Sequence, residues 1–504
     1  MQNPKSSAGI RGVSAGESEM ITWRGHIRGR IQFPFAALHC RSVHTCFWNL
    51  FQRYSGKEAA PGQQGRQKSN CREAERQAGQ EGSCREAERQ AGQEGSCREA
   101  VRQADRKEAA GRRKGRPTGR KLPGGRAGEA GMRLYEKKEM CCGCGACVDI
   151  CPVGAIHMVS DTEGFRYPQV DEKTCIHCGR CEQVCPIKGE KPGRGENLYF
   201  GVQAKDEALR YASSSGGMFP VLAEFVFRRQ GVVYGAAFNE DMEVVHREAW
   251  NPEELEALKK TKYVQSNLEG VYRRVLEHLK EDRWVLFCGT PCQAHALRLF
   301  LKKPYPKLVI ADLVCYGAPS PGVWASYVKY LERKSGGKMT EFYFRDKRNR
   351  DNGHTCAYVA GGREQAHSLY GDAYCRMYFK NYIIRPSCHF CKYCTVDRDS
   401  DFTIGDFWGI GKLRPEVEDG MGTSAVILHT EAAREIWEQV KEELSWFACK
   451  EEDVLQPRLT GPAKAAGGRK RFQSLYRALP FPVFRFLFAG SMSLKTLWER
   501  VIKR

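Results

Sequence analysis

The chain has 504 residues, 23 of them cysteine, and 80 Lys and Arg against 60 Asp and Glu, for a formal net charge of +20. Apolar residues make up 41%, enough for real cores, and no run of 18 uncharged apolar residues marks a membrane span. A polytopic membrane protein and a wholly disordered one are both excluded, and at about 150 residues per domain the length predicts roughly three domains.

Residues 1–131 read unlike the rest. They hold 25 Lys and Arg against 13 Asp and Glu, so most of the basic excess sits there. A 13-residue tandem repeat, CREAERQAGQEGS, starts at Cys71 and again at Cys84, with a decaying third copy from Cys97. Its period is below the solenoid range and its apolar content is mostly alanine. The basic run GRRKGRPTGRK follows. A nucleic-acid-binding tail is one reading, because Arg/Lys clusters attract phosphate. A targeting segment would need an apolar h-region and a cleavage pattern, and neither is present. The favoured expectation is a disordered leader, or translated sequence ahead of a true start at Met132, with no nucleic acid as partner. Cys71, Cys84 and Cys97 then recur because the segment repeats.

Residues 132–197 predict a small α+β domain. Cys141, Cys144, Cys147 and Cys151 follow C-x2-C-x2-C-x3-C, with Pro152 next, and Cys175, Cys178, Cys181 and Cys185 repeat the spacing before Pro186. Two such runs are the arrangement of a bacterial two-cluster ferredoxin. Three closely spaced thiolates wrap one cubane, and the fourth of each run is carried past it to the other. Cys141, Cys144, Cys147 and Cys185 are therefore assigned to one 4Fe-4S cluster, and Cys175, Cys178, Cys181 and Cys151 to the second. Gly143, Gly145 and Gly179 let the backbone curl around sulfur. Cys142 is left over as a bystander. Zinc is the alternative, since C-x2-C pairs also build zinc ribbons. Between the runs, a short hairpin is predicted around 161–164, and His157 and His177 are expected to be structural or exposed. The stretch 188–197, KGEKPGRGEN, reads as a polar linker.

Residues 198–460 predict an α/β body, with an N-terminal part to about 280 and a C-terminal part from 281. SSSGGMF opens an apolar helix that runs to Gln230, and GVVYGAAF follows as a strand. A Ser/Gly turn at a helix start offers backbone N–H groups to an anion such as a flavin pyrophosphate, although Ser is also an ordinary N-cap. Residues 284–287 read as a buried strand, followed by Cys288-Gly289-Thr290-Pro291-Cys292 and the helix QAHALRLFLKK. Thr290 suits the N-cap and Pro291 the first helical position. Cys292 then sits in the first turn, where the dipole favours a thiolate. Residues 307–314 read as a second strand, turning at Cys315-Tyr316-Gly317 into the helix VWASYVKYLERK. Two strand–turn–helix units imply a mixed or mostly parallel sheet with flanking helices and place both cysteines at strand C-termini. Their alternative is two buried thiols acting as small hydrophobes. Cys388, Cys391 and Cys394 form a C-x2-C-x2-C loop ahead of a strand and aromatic turn, 401–409. With Cys292 and Cys315 they supply enough thiolates for a third cluster.

These residues carry a resemblance. Residues 132–460 resemble the coenzyme F-420 hydrogenase/dehydrogenase beta-subunit family in its form with a fused N-terminal two-cluster ferredoxin. The matching stretches are Ser214-Ser215-Gly216-Gly217, Lys262-Tyr263-Val264-Gln265-Ser266, Gly289-Thr290-Pro291-Cys292-Gln293, Asp312-Leu313-Val314-Cys315-Tyr316-Gly317, RPSCHFC (385–391) and Gly405-Asp406-Phe407-Trp408-Gly409. The resemblance implies an FAD-binding α/β protein with a third 4Fe-4S cluster on Cys292, Cys315, Cys388 and Cys391. Cys394 and Cys288 are extra here, so either could replace a ligand. It further implies that Ser214, Ser215, Gly216, Gly217, Lys262, Tyr263, Gln265 and Ser266 contact the flavin.

A cytoplasmic iron–sulfur flavoprotein oxidoreductase is the resulting expectation. Electrons would pass between the ferredoxin-type clusters and FAD, and on to or from an F-420-like or other organic two-electron acceptor. The alternative is an electron-transfer subunit of a hydrogenase/dehydrogenase complex without its own turnover. The expected partners are a redox protein or ferredoxin and a small organic acceptor. No residue is assigned a catalytic role. RDKRNR (345–350) is a candidate for an anionic partner, against the usual fate of a solvated loop. The basic, aromatic tail 461–504 is expected to pack on the body or a partner, with at most peripheral membrane contact.

Overall fold

The structure, a computed structural model, describes residues 134–190, 193 and 195–489. The leader with its repeats, the start at Met132, part of the 188–197 linker and the last stretch of the tail lie outside the described residues.

Two glycine corners shape the N-terminal module. The helical turns α1 (Ala146–Asp149) and α2 (Arg180–Gln183) each begin after a left-handed glycine, Gly145 with φ 82° and Gly179 with φ 70°. A side chain would strain that conformation. Between them, β1 (Ile156–Ser160) and β2 (Arg166–Val170) pair antiparallel, with Ser160 opposite Arg166. The predicted hairpin turns because Asp161 Oδ1 accepts the N–H groups of Glu163 and Phe165, at 2.9 Å each.

The body is built on one sheet of eight strands: β3 (Leu198–Ala204), β4 (Val232–Phe238), β5 (Val244–Ala249), β6 (Val285–Gly289), β7 (Leu308–Leu313), β11 (Phe402–Asp406), β12 (Ser424–Leu428) and β13 (Leu444–Cys449). Their order is β13-β3-β12-β11-β7-β6-β4-β5. The centre is parallel, as the strand–turn–helix units predict: β4 with β6, β6 with β7, and β7 with β11. Antiparallel strands complete both flanks, because β5 returns directly on β4 and β12 on β11. The sheet is therefore mixed.

Helices cover both faces. On one side α3 (Met218–Phe227) packs Val221, Leu222 and Phe225 against Val233, Leu286 and Phe402. On the other, α4 (Val271–Lys280) and α5 (Pro291–Leu301) bury Tyr272, Val275, Leu297 and Phe300 against Tyr234, Phe287 and Ile310. Each such side chain contributes roughly 1.5–3 kcal/mol by leaving water. A second core forms where α6 (Pro321–Ser335) and α7 (Ala373–Phe379) meet a three-stranded sheet of β8 (Met339–Asp346), β9 (Thr355–Ala360) and β10 (Arg363–Ser368). Helix α8 (Glu431–Val440) adds Ala433, Ile436 and Trp437 to the first core. The described part of the tail packs on the second, as expected: α9 (Arg469–Ala478) and α10 (Phe481–Ala489) bury Phe472, Phe484 and Ala489 there. Among the described residues no helix is long and apolar enough to cross a membrane.

Candidate functional site

Five of the predicted ligands share one hollow, the four assigned to the first cluster and Cys181 of the second. Cys141, Cys144, Cys147 and Cys185 line a cavity walled by Leu134, Tyr135, Met140, Met158, Pro168 and Val184. Burial pushes the Cys147 thiol up, and the charges of Cys141, Cys185 and Cys181 push it further. Several thiolates cannot stand together in an apolar hollow unless cations neutralise them. Soft sulfur donors in such an enclosure fit an iron–sulfur cubane. Cys151, Cys175 and Cys181 pack around Val148, Ile156 and Val170, and the Ala155 N–H donates to Cys151 Sγ at 3.3 Å. Cys178 is exposed, so this second set opens toward solvent.

The body gathers its own thiols. Thr290 caps α5 with Gln293 in a capping box, and Pro291 opens the helix. Cys292 therefore occupies the first turn, as read from the sequence. Its thiol is pushed well above its usual range, first by the neighbouring Cys142 and then by burial. Cys315 feels Cys388, Cys292 and Cys391 on top of its burial, and Cys388 feels Cys292 and Cys391. Three separate chain segments thus bring the four named cysteines together. The Ala318 N–H donates to Cys388 Sγ at 3.3 Å. Cys394 joins this group through a hydrogen bond with Cys391. Cys288 instead lies near Lys262 and Asp312, and burial pushes it up to about 12.

The two thiol groups meet at a built seam. Cys142, expected to be a bystander, is buried and packs with Cys144 and the partly buried Cys292 in one apolar cluster. Asp149, at the end of α1, caps α4: its carboxylate accepts the Gly270 N–H at 2.7 Å and the Tyr272 N–H at 3.0 Å. Tyr272 returns its hydroxyl to the Cys144 carbonyl at 3.1 Å. Among the described residues no three His, Cys, Asp or Glu side chains close on a single metal ion. The thiolates of a cubane each bind a different iron, so the fit lies in the enclosure.

Two family descriptions match. Residues 282–452 match the C-terminal part of the beta subunit of coenzyme F420 hydrogenase/dehydrogenase, and residues 140–188 match the 4Fe-4S dicluster domain. The region similar to the C-terminal part of that beta subunit thus follows the region similar to a two-cluster iron–sulfur domain. One subunit of the F(420)H(2) dehydrogenase of Methanosarcina mazei is 26% identical over 192 residues, which are 35% of this chain and 53% of that protein. The chain therefore matches about half the length of that relative. The solved F420-reducing [NiFe] hydrogenase complex from Methanosarcina barkeri aligns at a TM-score of 0.35 and 18% identity, over 62% of this chain and 92% of that one.

Within the body, the residues expected to touch a flavin divide. Ser214 Oγ accepts the Thr261 N–H at 2.6 Å, which stitches the Ser/Gly turn to the Lys262 stretch. The Ser215 hydroxyl donates to the Thr423 carbonyl and the Gly216 N–H to Ser424 Oγ, both at 2.9 Å. A Cβ on Gly216 would run into the Val202 carbonyl, so packing onto the sheet already demands this glycine. Gly217, with φ 96°, opens α3. Lys262 Nζ donates to the Ala257 and Lys259 carbonyls, and burial pushes it down to about 7. Tyr263 stands among Phe344, Tyr378 and Phe379. Gln265 and Ser266 turn to the seam: the Gln265 amide donates to the Cys142 carbonyl at 2.8 Å, and Ser266 Oγ accepts from Gln293 at 3.1 Å.

The basic run 345–350 is largely spent inside the fold. Arg345 pairs with Asp406 at 2.6 Å, Lys347 donates to the Arg210 and Ser215 carbonyls at 2.6 Å each, and Arg348 pairs with Asp346 and Glu364. These three charges hold the protein together rather than facing an anionic partner. Sequence reasoning gave no seam role to Asp149, Gln265 or Arg385. Their contacts lie 120 or more residues away, where no local pattern reports them.

Proposed function

We propose that the chain is an iron–sulfur flavoprotein oxidoreductase exchanging electrons with an organic two-electron partner of the coenzyme F-420 kind. Cys141, Cys144, Cys147 and Cys185 would hold one cluster, Cys175, Cys178, Cys181 and Cys151 the second, and Cys292, Cys315, Cys388 and Cys391 the third. Ser214 to Gly217, Lys262 and Tyr263 are the candidates for FAD. Clusters supply single-electron transfer, and a flavin converts between single electrons and a hydride.

One observation carries this reading. The buried Cys142 and Cys144 share one apolar cluster with Cys292, so the module's ligand loop and the body's thiol group share one desolvated seam. Leu134, Met140 and Val184 keep water from the first set, and the Ala155 and Ala318 N–H groups steady individual sulfurs. The match to one component of a dehydrogenase favours a second reading, in which this chain relays electrons for a catalytic partner.

Anaerobically prepared full-length protein should carry about twelve irons and one flavin. About eight irons with no flavin would sink the flavoprotein model and leave a plain relay. Reduction of F-420 or another two-electron acceptor by the isolated chain, driven by reduced ferredoxin, would exclude the relay-only reading. No turnover in protein that carries every cofactor would support it.

A further inference from the structure

Arg385 is completely buried, and its guanidinium is locked by four contacts. Nε donates to the Cys141 carbonyl at 2.7 Å, Nη1 to Gln265 Oε1 at 2.9 Å, and Nη2 to the Arg166 carbonyl at 2.9 Å and to Cys141 Sγ at 3.6 Å. Tyr167 and Phe165 lie against its face, with centroids 4.1 and 5.4 Å away. None of these partners is a carboxylate. A buried cation without a counterion is costly to the fold, and carbonyls with ring faces offset only part of that cost. Around it stand the Cys141 and Cys142 thiols and the Tyr167 phenol of the module and the Cys388 thiol of the body.

We propose that Arg385 is the resident counterion of the cluster on Cys141, and that its charge makes this cluster easier to reduce than it would be without it. The inference rests on Cys141 being a cluster thiolate. Reduction adds one negative charge, and a fixed positive charge donating N–H to a ligand sulfur stabilises the reduced state. Arg385 belongs to the body, three residues before Cys388. The potential of the module's inner cluster is thus set by the domain it feeds. Arg385 is a positioning and tuning residue and touches no substrate.

The test compares Arg385→Gln and Arg385→Lys in the full chain, prepared anaerobically, with iron content and EPR-monitored potentiometric titration. In R385Q one ferredoxin-type signal should move to more negative potential at full iron, while the signal of the Cys175 set stays in place. R385K, which keeps a charge but loses the fork, should shift less in the same direction. R385Q at full iron titrating like the parent overturns the proposal. If R385Q loses iron, R385K decides, and a parental potential there overturns it. Loss of iron in both variants overturns it in favour of a purely structural clamp. A parent protein without cubane clusters would instead sink the ligand assignment, and the proposal with it.

Discussion

Cys142 and Cys292 pack into one apolar cluster, one from the iron–sulfur module and one from the first turn of a body helix. The ligand assignment gives them different fates. Cys292→Ala and Cys388→Ala should each cost about four of about twelve irons and leave the module's clusters intact. Cys142→Ala should keep all the iron, because Cys141, Cys144 and Cys147 already complete the C-x2-C-x2-C set. Iron and sulfide analysis with EPR reads both. Full iron in both the Cys292 and Cys388 variants would show that the third set is misassigned. Loss of iron from the Cys142 variant would make that thiol a ligand.

Asp149 joins the same two parts by a different device, a side-chain cap on a helix of the other part. Replacing an N-cap carboxylate by alanine costs about 1–2 kcal/mol, and here two N–H groups would lose their acceptor. Asp149→Ala should lower the unfolding free energy by that amount, read as a lower urea midpoint at unchanged slope. It should also speed amide exchange at Gly270 and Tyr272 while strand β7 stays protected. Unchanged exchange at those two amides would mean that another group takes over the cap.

What could be read from the sequence follows from how local each feature is. Each cysteine run fixes its own geometry within a few residues, so Cys141, Cys144 and Cys147 reach one cavity by local spacing, and Cys185 joins them from the second run. Thr290 and Pro291 announce their helix for the same reason. The antiparallel flanks β3 and β13 could not be foreseen, because their partners lie far along the chain. Arg345 and Lys347 misled because a run of charges does not state which way a strand end will face. Arg385, Asp149 and Gln265 gain meaning only from long-range contacts.

Gly143 shows how tightly the seam is built. Its φ is +69°, and a Cβ there would stand 2.6 Å from Arg385 Nη1 and 2.8 Å from the Gln265 amide nitrogen. Gly143→Ala should therefore destabilise by more than the ~1 kcal/mol of left-handed strain alone, since the guanidinium must also move. Gly336, with φ +75° at the end of α6, has no atom near its missing Cβ, so Gly336→Ala isolates the backbone cost. Thermal midpoints should rank parent, then G336A, then G143A. An equal loss in both variants would show that the Arg385 contact yields freely.

His246 supplies a pH signature for the body. The ring is buried and stacks on Phe287. Nε2 bonds the Cys288 carbonyl at 3.0 Å, and Nδ1 has no partner. Burial lowers its pKa from 6.5 to about 4, the Cys288 carbonyl opposes that shift, and the nearby Lys262 charge adds to it. The native ring stays neutral while the unfolded ring takes up a proton between these two values. The unfolded state then binds more protons, so stability falls as pH drops from about 6.5 toward 4 and levels off below that. The loss attributable to this ring is on the order of 3 kcal/mol at most. His246→Gln keeps a donor for the Cys288 carbonyl and has no titration in this range. Urea midpoints measured from pH 7 to pH 4 should fall less steeply for this variant than for the parent. Parallel curves would show that other groups carry the acid sensitivity.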